Sequence, residues 1–130
     1  MRLSEENRDR AEWAAWHGLR DRLGMDFPEF KRTFEQWRFR GVYSGARCVG
    51  AVLDLNGYIH VSIMPNYRKR WANAKLLGES LKGAMVDGKV RSTIFRNDEF
   101  RSEFAKRLGF YRVKSGEVEE YEATHETIPY

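Results

Sequence analysis

Hydrophobic and polar positions follow a helical period over the first third of the chain. Ser4 followed by two glutamates is typical of a helix N-cap with acidic residues in the first turn. Apolar residues then recur every three or four positions until Gly24, a common helix end. A series of aromatic residues follows at the same spacing. The sequence therefore predicts two helices, over about residues 4–23 and 27–37.

After Trp37 the hydrophobic period changes to two, which is the period of a strand in a sheet. Three strands are predicted, over about residues 38–43, 46–55 and 58–64. The last two are separated by Asn56-Gly57, and Asn-Gly is a strong signal for a two-residue hairpin. These strands are expected to form an antiparallel meander.

A helical pattern returns after the meander and predicts a long helix over about residues 66–87. A strand over 90–95 follows. The next helix is short, with Asn97 or Asp98 as its N-cap and Gly109 as its end. A hairpin is then predicted, with strands over residues 110–113 and 118–123. Residues 124–130 are predicted to form a loose tail.

The long helix connects two neighbouring strands, and a helical crossover makes such strands parallel. The predicted fold class is therefore α+β: a mixed, mostly antiparallel sheet with one parallel βαβ crossover and helices on both faces. A chain of 130 residues has room for one core and is too short for two ordinary domains. We expect a single domain over 1–130, with two N-terminal helices in 1–37, the sheet in 38–123 and a tail in 124–130.

Composition excludes several classes of protein. The longest apolar stretch, about residues 48–53, is far shorter than the roughly 20 residues of a membrane span, and the first 30 residues are too charged for a signal peptide. We therefore expect a cytoplasmic protein without membrane contact. Cys48 is the single cysteine and the three histidines are widely spaced, so neither a disulfide nor a metal site is expected.

The net charge of +4 is distributed unevenly along the chain. The first 114 residues hold all 23 basic residues and 14 of the 19 acidic ones, a net charge of +9, whereas the last 16 carry −5. A basic body indicates an anionic partner: nucleic acid, a phosphate-bearing cofactor or an acidic protein. Arg38 and Arg40 alternate with aromatic residues, as in single-strand binders. Nucleic acid is nevertheless disfavoured, because no recognised motif accompanies them.

Two motifs between His60 and Val113 are distinctive. The first is Pro65-x-x-Arg68, and the second is Asn97 followed by Leu108-Gly109-Phe110 at the end of the short helix. Together they resemble the core of the GCN5-related N-acetyltransferase (GNAT) superfamily. The order of predicted elements fits that fold, with the family's first strand compressed into residues 1–3 or missing. The small chain also resembles bacteriophage-encoded members.

The resemblance implies transfer of an acetyl or other acyl group from acyl-CoA to a primary amine. In this family a loop with the pattern Arg-x-x-Gly-x-Gly holds the pyrophosphate at a helix N-terminus, where backbone amides are free. The matching positions here are Arg68, Lys69, Arg70, Trp71, Ala72 and Asn73. Pantetheine would lie between the strands predicted over 58–64 and 90–95, along Ile63 and Met64, and Asn97 would complete the cofactor site.

Three family positions carry unexpected residues. Trp71 and Asn73 stand where the loop has glycine, and Ala105 stands near the position of the family's usual general-acid tyrosine. The Trp71 side chain must point away from the phosphates if this loop is to bind them.

Proton transfer requires a base and an acid. His60 is the candidate base, since an imidazole pKa near 6.5 suits proton abstraction at neutral pH. Tyr111 is the candidate acid, with Tyr67 as the other nearby tyrosine. The sequence leaves open the amine acceptor, the acyl chain and the oligomeric state. The alternative function is a catalytically silent GNAT-fold protein that serves in binding or assembly, for example in a phage virion or head.

Overall fold

One mixed sheet of seven strands carries helices on both faces. The computed structural model describes residues 1–130. Its elements in chain order are β1 (Arg2–Ser4), α1 (Arg8–Leu23), α2 (Phe27–Thr33), β2 (Arg38–Ser44), β3 (Arg47–Leu55), β4 (Tyr58–Ile63), a 3₁₀ turn (Pro65–Tyr67), α3 (Ala74–Ala84), β5 (Lys89–Phe95), α4 (Glu99–Arg107), β6 (Tyr111–Lys114) and β7 (Val118–Thr124). The strand order is β1-β2-β3-β4-β5-β7-β6, and only β4 and β5 are parallel. The predicted α+β class is confirmed.

Strand β1 takes the place of the predicted first turn of α1. Leu3 pairs with Val42 of β2, so the first residues extend the sheet and the predicted helix start at Ser4 is wrong. Helix α1 begins at Arg8, and Asn7 Oδ1 accepts a hydrogen bond from an N–H of the first turn at 3.1 Å. A local capping pattern carries no signal of pairing with residues far along the chain.

Helix α2 ends at Thr33, earlier than the predicted end at Trp37. The Arg8 guanidinium donates hydrogen bonds to the carbonyl oxygens of Phe34, Glu35 and Trp37, at distances of 3.2, 3.0 and 2.6 Å. A helix end leaves its last carbonyl groups without intrahelical partners. A side chain from α1 therefore stabilises the early end of α2.

The long helix predicted over 66–87 is shorter than expected. Its first part is the 3₁₀ turn and a loop, and α3 begins only at Ala74, where Asn73 Oδ1 accepts a hydrogen bond from Leu76 N–H at 2.9 Å. Trp71, in that loop, is only 6% exposed and belongs to the main hydrophobic core. The loop is therefore anchored by its indole and ends at an asparagine cap.

The residues after β7 pack against the body, in contrast to the loose tail predicted over 124–130. Ile128 is buried in the main core, and Thr127 N–H donates to Thr124 O at 3.1 Å. The carbonyl of Thr127 approaches Gly109 so closely that a Cβ at Gly109 would overlap it. Gly109 has φ +96°, so glycine is required here by both conformation and space.

Buried hydrophobic side chains form two clusters, one on each face of the sheet. Alternate residues of β3 belong to different clusters: Leu53 packs with α1 and α2, whereas Val52 packs with α3 and α4. The cluster on the α1–α2 side contains Phe30 and Phe39 among its six buried members. None of the four helices has the length and apolar character that a membrane span requires.

Arg40 connects β2 to α3 through a buried polar network. Its guanidinium donates to the carbonyl oxygens of Glu79 and Ser80 at 3.0 and 2.7 Å, and lies 3.6 Å from the Asp54 carboxylate. Arg38 pairs with the same carboxylate at 2.9 Å. Arg40 is therefore engaged inside the protein, whereas the Arg38 side chain is 40% exposed and is held by its pairing with Asp54. Neither guanidinium is free of partners in the protein, which argues against their suggested role in contacting nucleic acid.

Helix α1 contacts β4 most closely at Gly18. A Cβ at this position would overlap Ser62 Oγ and lie 3.1 Å from Ile63 O. Alanine normally stabilises a helix relative to glycine by about 0.5–1 kcal/mol. At Gly18 that gain is outweighed by the forced separation of α1 from the sheet.

We expect Gly18→Ala to lower the free energy of unfolding by about 1–3 kcal/mol, which is typical of overpacking. The matched control is Gly78→Ala in α3, where the nearest atom to the new Cβ is Tyr130 Cβ at 3.4 Å and the substitution should be stabilising or neutral. Urea denaturation followed by circular dichroism measures both variants. Equal stabilisation of the two variants would contradict the close contact between α1 and β4.

Candidate active site

The parallel strands β4 and β5 touch at one end only. Their single residue pair is Tyr58 with Arg91, and Arg91 N–H donates to Gly57 O at 2.7 Å. Beyond it, β4 remains paired with β3 along all six of its residues, and β5 remains paired with β7 along all seven. The two halves of the sheet therefore diverge and leave a wedge-shaped gap that opens toward the carboxyl ends of β4 and β5.

Main-chain groups of β4 line this gap. Met64 N–H donates to Val49 O at 2.8 Å, and antiparallel pairing alternates along a strand. Even-numbered residues of β4 are thus bonded to β3, whereas Val61 and Ile63 direct their main-chain groups toward the gap. The predicted strand edge at Ile63 and Met64 is corrected to Val61 and Ile63, because Met64 faces β3.

Arg68 is a structural link. Its Nε donates to Ile63 O at 3.0 Å and its Nη2 donates to Gly18 O at 3.1 Å. These bonds join the end of β4 to α1, so the guanidinium is directed toward the protein instead of toward an external phosphate. The N–H group of Ile63 faces the gap and remains free. The carbonyl oxygen of Ile63 already accepts the hydrogen bond from Arg68.

The loop before α3 still offers donors for an anion. The N–H groups of Ala72, Ala74 and Lys75 have no acceptor within the protein, although Asn73 already satisfies the N–H of Leu76. The Trp71 indole is directed into the core. The indole therefore points away from the outer surface of the loop, as the sequence analysis required for a loop that binds phosphates.

Two basic side chains flank these free amides. Lys69 is exposed and makes no ion pair. Arg70 is exposed, lies over the Tyr67 ring with its guanidinium carbon 5.1 Å from the ring centre, and donates to Asn66 O at 3.4 Å. Arg47 also lies over the Tyr67 ring, which therefore contacts two guanidinium groups. Of the three predicted basic residues, Lys69 and Arg70 remain available to a phosphate.

His60 faces the opposite side of the gap from this loop. His60 and Ser62 are two positions apart on β4, and such residues of a strand share one face of the sheet. Ser62 Oγ donates to Ala15 O of α1 at 2.6 Å, so both side chains lie on the α1–α2 face. The imidazole stacks on Trp37 with 5.2 Å between ring centres and makes no hydrogen bond with the protein. Burial, followed by the positive charge of Arg22, lowers the pKa of His60 below its ordinary value. His60 is therefore a neutral imidazole at pH 7, able to accept a proton.

Tyr111, predicted as the acid, lies outside this site. It is on edge strand β6, and both β7 and β5 separate it from β4. Three strand spacings amount to roughly 14 Å. The structure therefore does not bring Tyr111 and His60 together.

Two hydroxyl groups missed by the sequence analysis lie on the α3–α4 side. Ser102 Oγ and Tyr121 OH are 2.7 Å apart. Ser102 lies on α4, one helical turn before Ala105. Tyr121 is 1% exposed and belongs to the main core. Their sequence signal is weak, because the two residues are 19 positions apart and on different elements.

Asn97 lies in the connection between β5 and α4 at the open end of the gap. The N-cap of α4 is Asp98, whose Oδ1 accepts a hydrogen bond from Arg101 N–H at 3.1 Å. The Asn97 side chain is exposed and makes no hydrogen bond, which leaves it available to a ligand. It therefore stays a candidate cofactor contact.

The splayed sheet defines the class of fold. This chain has the fold of GNAT acetyltransferases, as comparison with solved structures shows. A GNAT-family acetyltransferase from Bacillus cereus superposes with a TM-score of 0.72 at 15% identity, covering 95% of this chain and 96% of that chain. A variant of the spermidine N-acetyltransferase of Vibrio cholerae gives 0.72 at 13% identity, covering 95% of each chain.

A third solved structure contains the coenzyme. The PaiA N-acetyltransferase of Thermoplasma acidophilum, in complex with coenzyme A, superposes with a TM-score of 0.62 at 15% identity, covering 96% of this chain and 97% of that chain. No known family profile matches the sequence, and no curated protein matches it. At these identities the comparisons establish the fold.

The burial of Trp71 makes its substitution costly. Replacing a core tryptophan with alanine removes its packing and leaves a cavity, so we expect Trp71→Ala to lower the free energy of unfolding by about 3–5 kcal/mol. Asn73→Ala removes only an N-cap and should cost about 1 kcal/mol. Thermal or urea denaturation compares the two. A smaller loss at Trp71 than at Asn73 would show that the indole does not fill the core.

Proposed function

We propose that this protein is an N-acyltransferase that uses acetyl-CoA or another acyl-CoA to acylate an amine. The observation that carries the proposal is the gap between β4 and β5, with an unpaired strand edge along one side and free N–H groups at the start of α3. Amide groups of an extended ligand can pair with such a strand edge. Phosphates are favoured where free N–H groups and basic side chains meet.

The cofactor would be held by distinct parts of the chain. The free amides of Ala72, Ala74 and Lys75, with Lys69 and Arg70, would bind the pyrophosphate, and the edge at Val61 and Ile63 would pair with pantetheine. The inward direction of the Trp71 indole supports this fit, because the outer face of the loop stays open. When bound, the acyl-CoA supplies an activated thioester carbon.

His60 would prepare the acceptor for attack. An amine is protonated near neutral pH, and only its neutral form can form a bond to the acyl carbon. The neutral imidazole of His60 has a free ring nitrogen that can take this proton. As the new C–N bond forms and the C–S bond breaks, the leaving thiolate needs a proton. The Ser102–Tyr121 hydroxyl pair, on the α3–α4 side of the sheet, is the candidate donor of this proton.

Calorimetric titration with acetyl-CoA tests the cofactor site. We expect micromolar binding that is weakened about tenfold when Lys69→Gln and Arg70→Gln are combined, because charge-assisted contacts to phosphate are lost. The matched control combines Lys31→Gln and Arg32→Gln in the last turn of α2 and should leave the affinity unchanged. If neither acetyl-CoA nor desulfo-CoA binds, the enzymatic proposal is overturned.

His60→Gln tests the proton acceptor. With an amine that supports thiol release, kcat should fall by about 100-fold or more, while acetyl-CoA affinity is retained. The pKa of His60 is lowered, so in the native protein kcat/KM should fall only as the pH drops below about 6.5, where the imidazole becomes a cation. The variant should lack this acidic limb. An unchanged pH profile in His60→Gln would exclude His60 as the base.

A second candidate function is a GNAT-fold binding or assembly protein that does not use acyl-CoA, such as a phage virion component. It is supported by Trp71 and Asn73 at the glycine positions, by the internal bonds of Arg68, and by Ala105 at the position expected for a tyrosine. The same titration separates the two candidates, because only the enzyme requires acyl-CoA affinity.

A further inference from the structure

A shallow cavity of about 620 Å³, open to solvent, lies at the carboxyl end of β5, on the side where the gap opens. It is bounded by the end of α1 and by the connection from β5 to α4. Its lining residues are Arg22, Leu23, Phe95, Asn97, Asp98, Glu99, Phe100 and Arg101. Arg22 is close enough to His60 for its charge to act on the imidazole. The cavity therefore adjoins the side of the gap where the acceptor amine would lose its proton.

Two arginines, Arg22 and Arg101, and two carboxylates, Asp98 and Glu99, line this cavity. Arg101 and Arg68 act on Arg22 as neighbouring cations, and Asp98 is the opposing carboxylate, already engaged by Arg101 at 2.6 Å. Arg22 is an exposed residue, and partial loss of water around its guanidinium, followed by the charge of Arg101, lowers the pKa of this group. Arg22 itself has neither an ion pair nor a hydrogen bond.

The remaining carboxylate of the cavity is exposed. Glu99 lies in the first turn of α4 and makes no ion pair, so it offsets part of the positive charge. It does not contact Arg22. Arg22 thus remains the cation of this cavity that gains a partner only from outside the chain.

Apolar surface lies beside these cations. Phe100 is 76% exposed and Phe95 is 60% exposed, the two most exposed large hydrophobic side chains of the protein. Leu23 is also exposed. Exposed aromatic groups grouped at a cavity are typical of a binding site. A ligand with an apolar portion and an anionic end would cover the phenyl rings and meet the free guanidinium.

We propose that the acyl acceptor is an amine that also carries a carboxylate or phosphate group, and that Arg22 binds this group with support from Arg101. This inference rests on the proposed acyltransferase function. The Asp98 carboxylate is already paired with Arg101, so the Arg22 guanidinium has no paired counter-charge in the chain and would disfavour a second cation beside it. The cofactor phosphates, in contrast, are assigned to the loop before α3, none of whose residues lines this cavity.

The test compares matched acceptors by the release of CoA thiol from acetyl-CoA. Amino acids, among them leucine and phenylalanine, are compared with their carboxamides, and phosphoethanolamine with ethanolamine; spermidine is the cationic probe. We expect kcat/KM to be about tenfold or more higher for the anionic member of a pair. The amino acid and phosphoethanolamine arms distinguish a carboxylate from a phosphate.

Arg22→Gln should raise KM for the anionic acceptor about tenfold relative to the neutral acceptor, while acetyl-CoA affinity is retained. Because loss of this charge also raises the pKa of His60, the two acceptors are compared well above the pH of the acidic limb. The matched control is Arg20→Gln, since Arg20 lies on the same helix, over the Trp16 ring, and does not line the cavity. A simple loss of folding would affect both acceptors equally.

The outcomes separate this inference from the proposed function. If neutral or cationic amines are acylated as well as anionic ones, or if acetyl-CoA binds and no anionic amine releases thiol, the acceptor inference is overturned and the cofactor site stands. If acetyl-CoA does not bind at all, the proposed function is overturned, and the acceptor inference is overturned with it.

Discussion

The single hydrogen-bonded contact between β4 and β5 determines the architecture of the site. Each of these strands is fully paired on its other side, so the sheet divides into two rigid halves joined at Tyr58 and Arg91. Unpaired main-chain groups inside a protein are costly unless water or a ligand satisfies them. The open edge at Val61 and Ile63 is therefore a feature that a ligand can stabilise, and it is held open by the pairing of the strands around it.

Contacts outside the sheet fix the position of β4 and of the loop that follows it. Gly18 lets α1 approach the end of β4, and Arg68 joins the same two elements through the carbonyl oxygens of Gly18 and Ile63. The loop that follows is anchored by the Trp71 indole and ends at the Asn73 cap. Residues at positions expected to bind phosphate have thus taken structural roles, while the free amides and Lys69 remain at the surface.

The sequence predicted the features that depend on local pattern. Strands β2, β3 and β4 and their hairpin at Asn56-Gly57 were predicted close to their observed bounds, and the crossover helix implied the parallel pair. The start of α1 and the end of α2 were wrong, because strand β1 and the side chain of Arg8 act across long distances in sequence. Local periodicity contains no information about such contacts.

The candidate site was predicted in part for the same reason. His60 was proposed from its residue type on a central strand, and Lys69 and Arg70 from the family motif; their positions in the fold are compatible with those roles, which remain predictions. The strand order β5-β7-β6 places Tyr111 beyond reach, and Arg68 bonds internally; neither fact has a sequence signal. Arg22 was missed because an arginine near a helix end is ordinary until its neighbours in space are known.

The sheet itself separates the two parts of the site. On one face lie the loop before α3 and its free amides; on the other lie His60 and α1. The cavity beside Arg22 lies at the strand ends, between the end of α1 and the start of α4. Substitutions at the end of α1 or around Phe100 can therefore change one part without disturbing the other. Under the proposed function, the choice of acceptor and the affinity for the cofactor would thus respond to different sets of substitutions. Arg68, which bonds to both α1 and β4, is the residue whose loss would be felt by both parts.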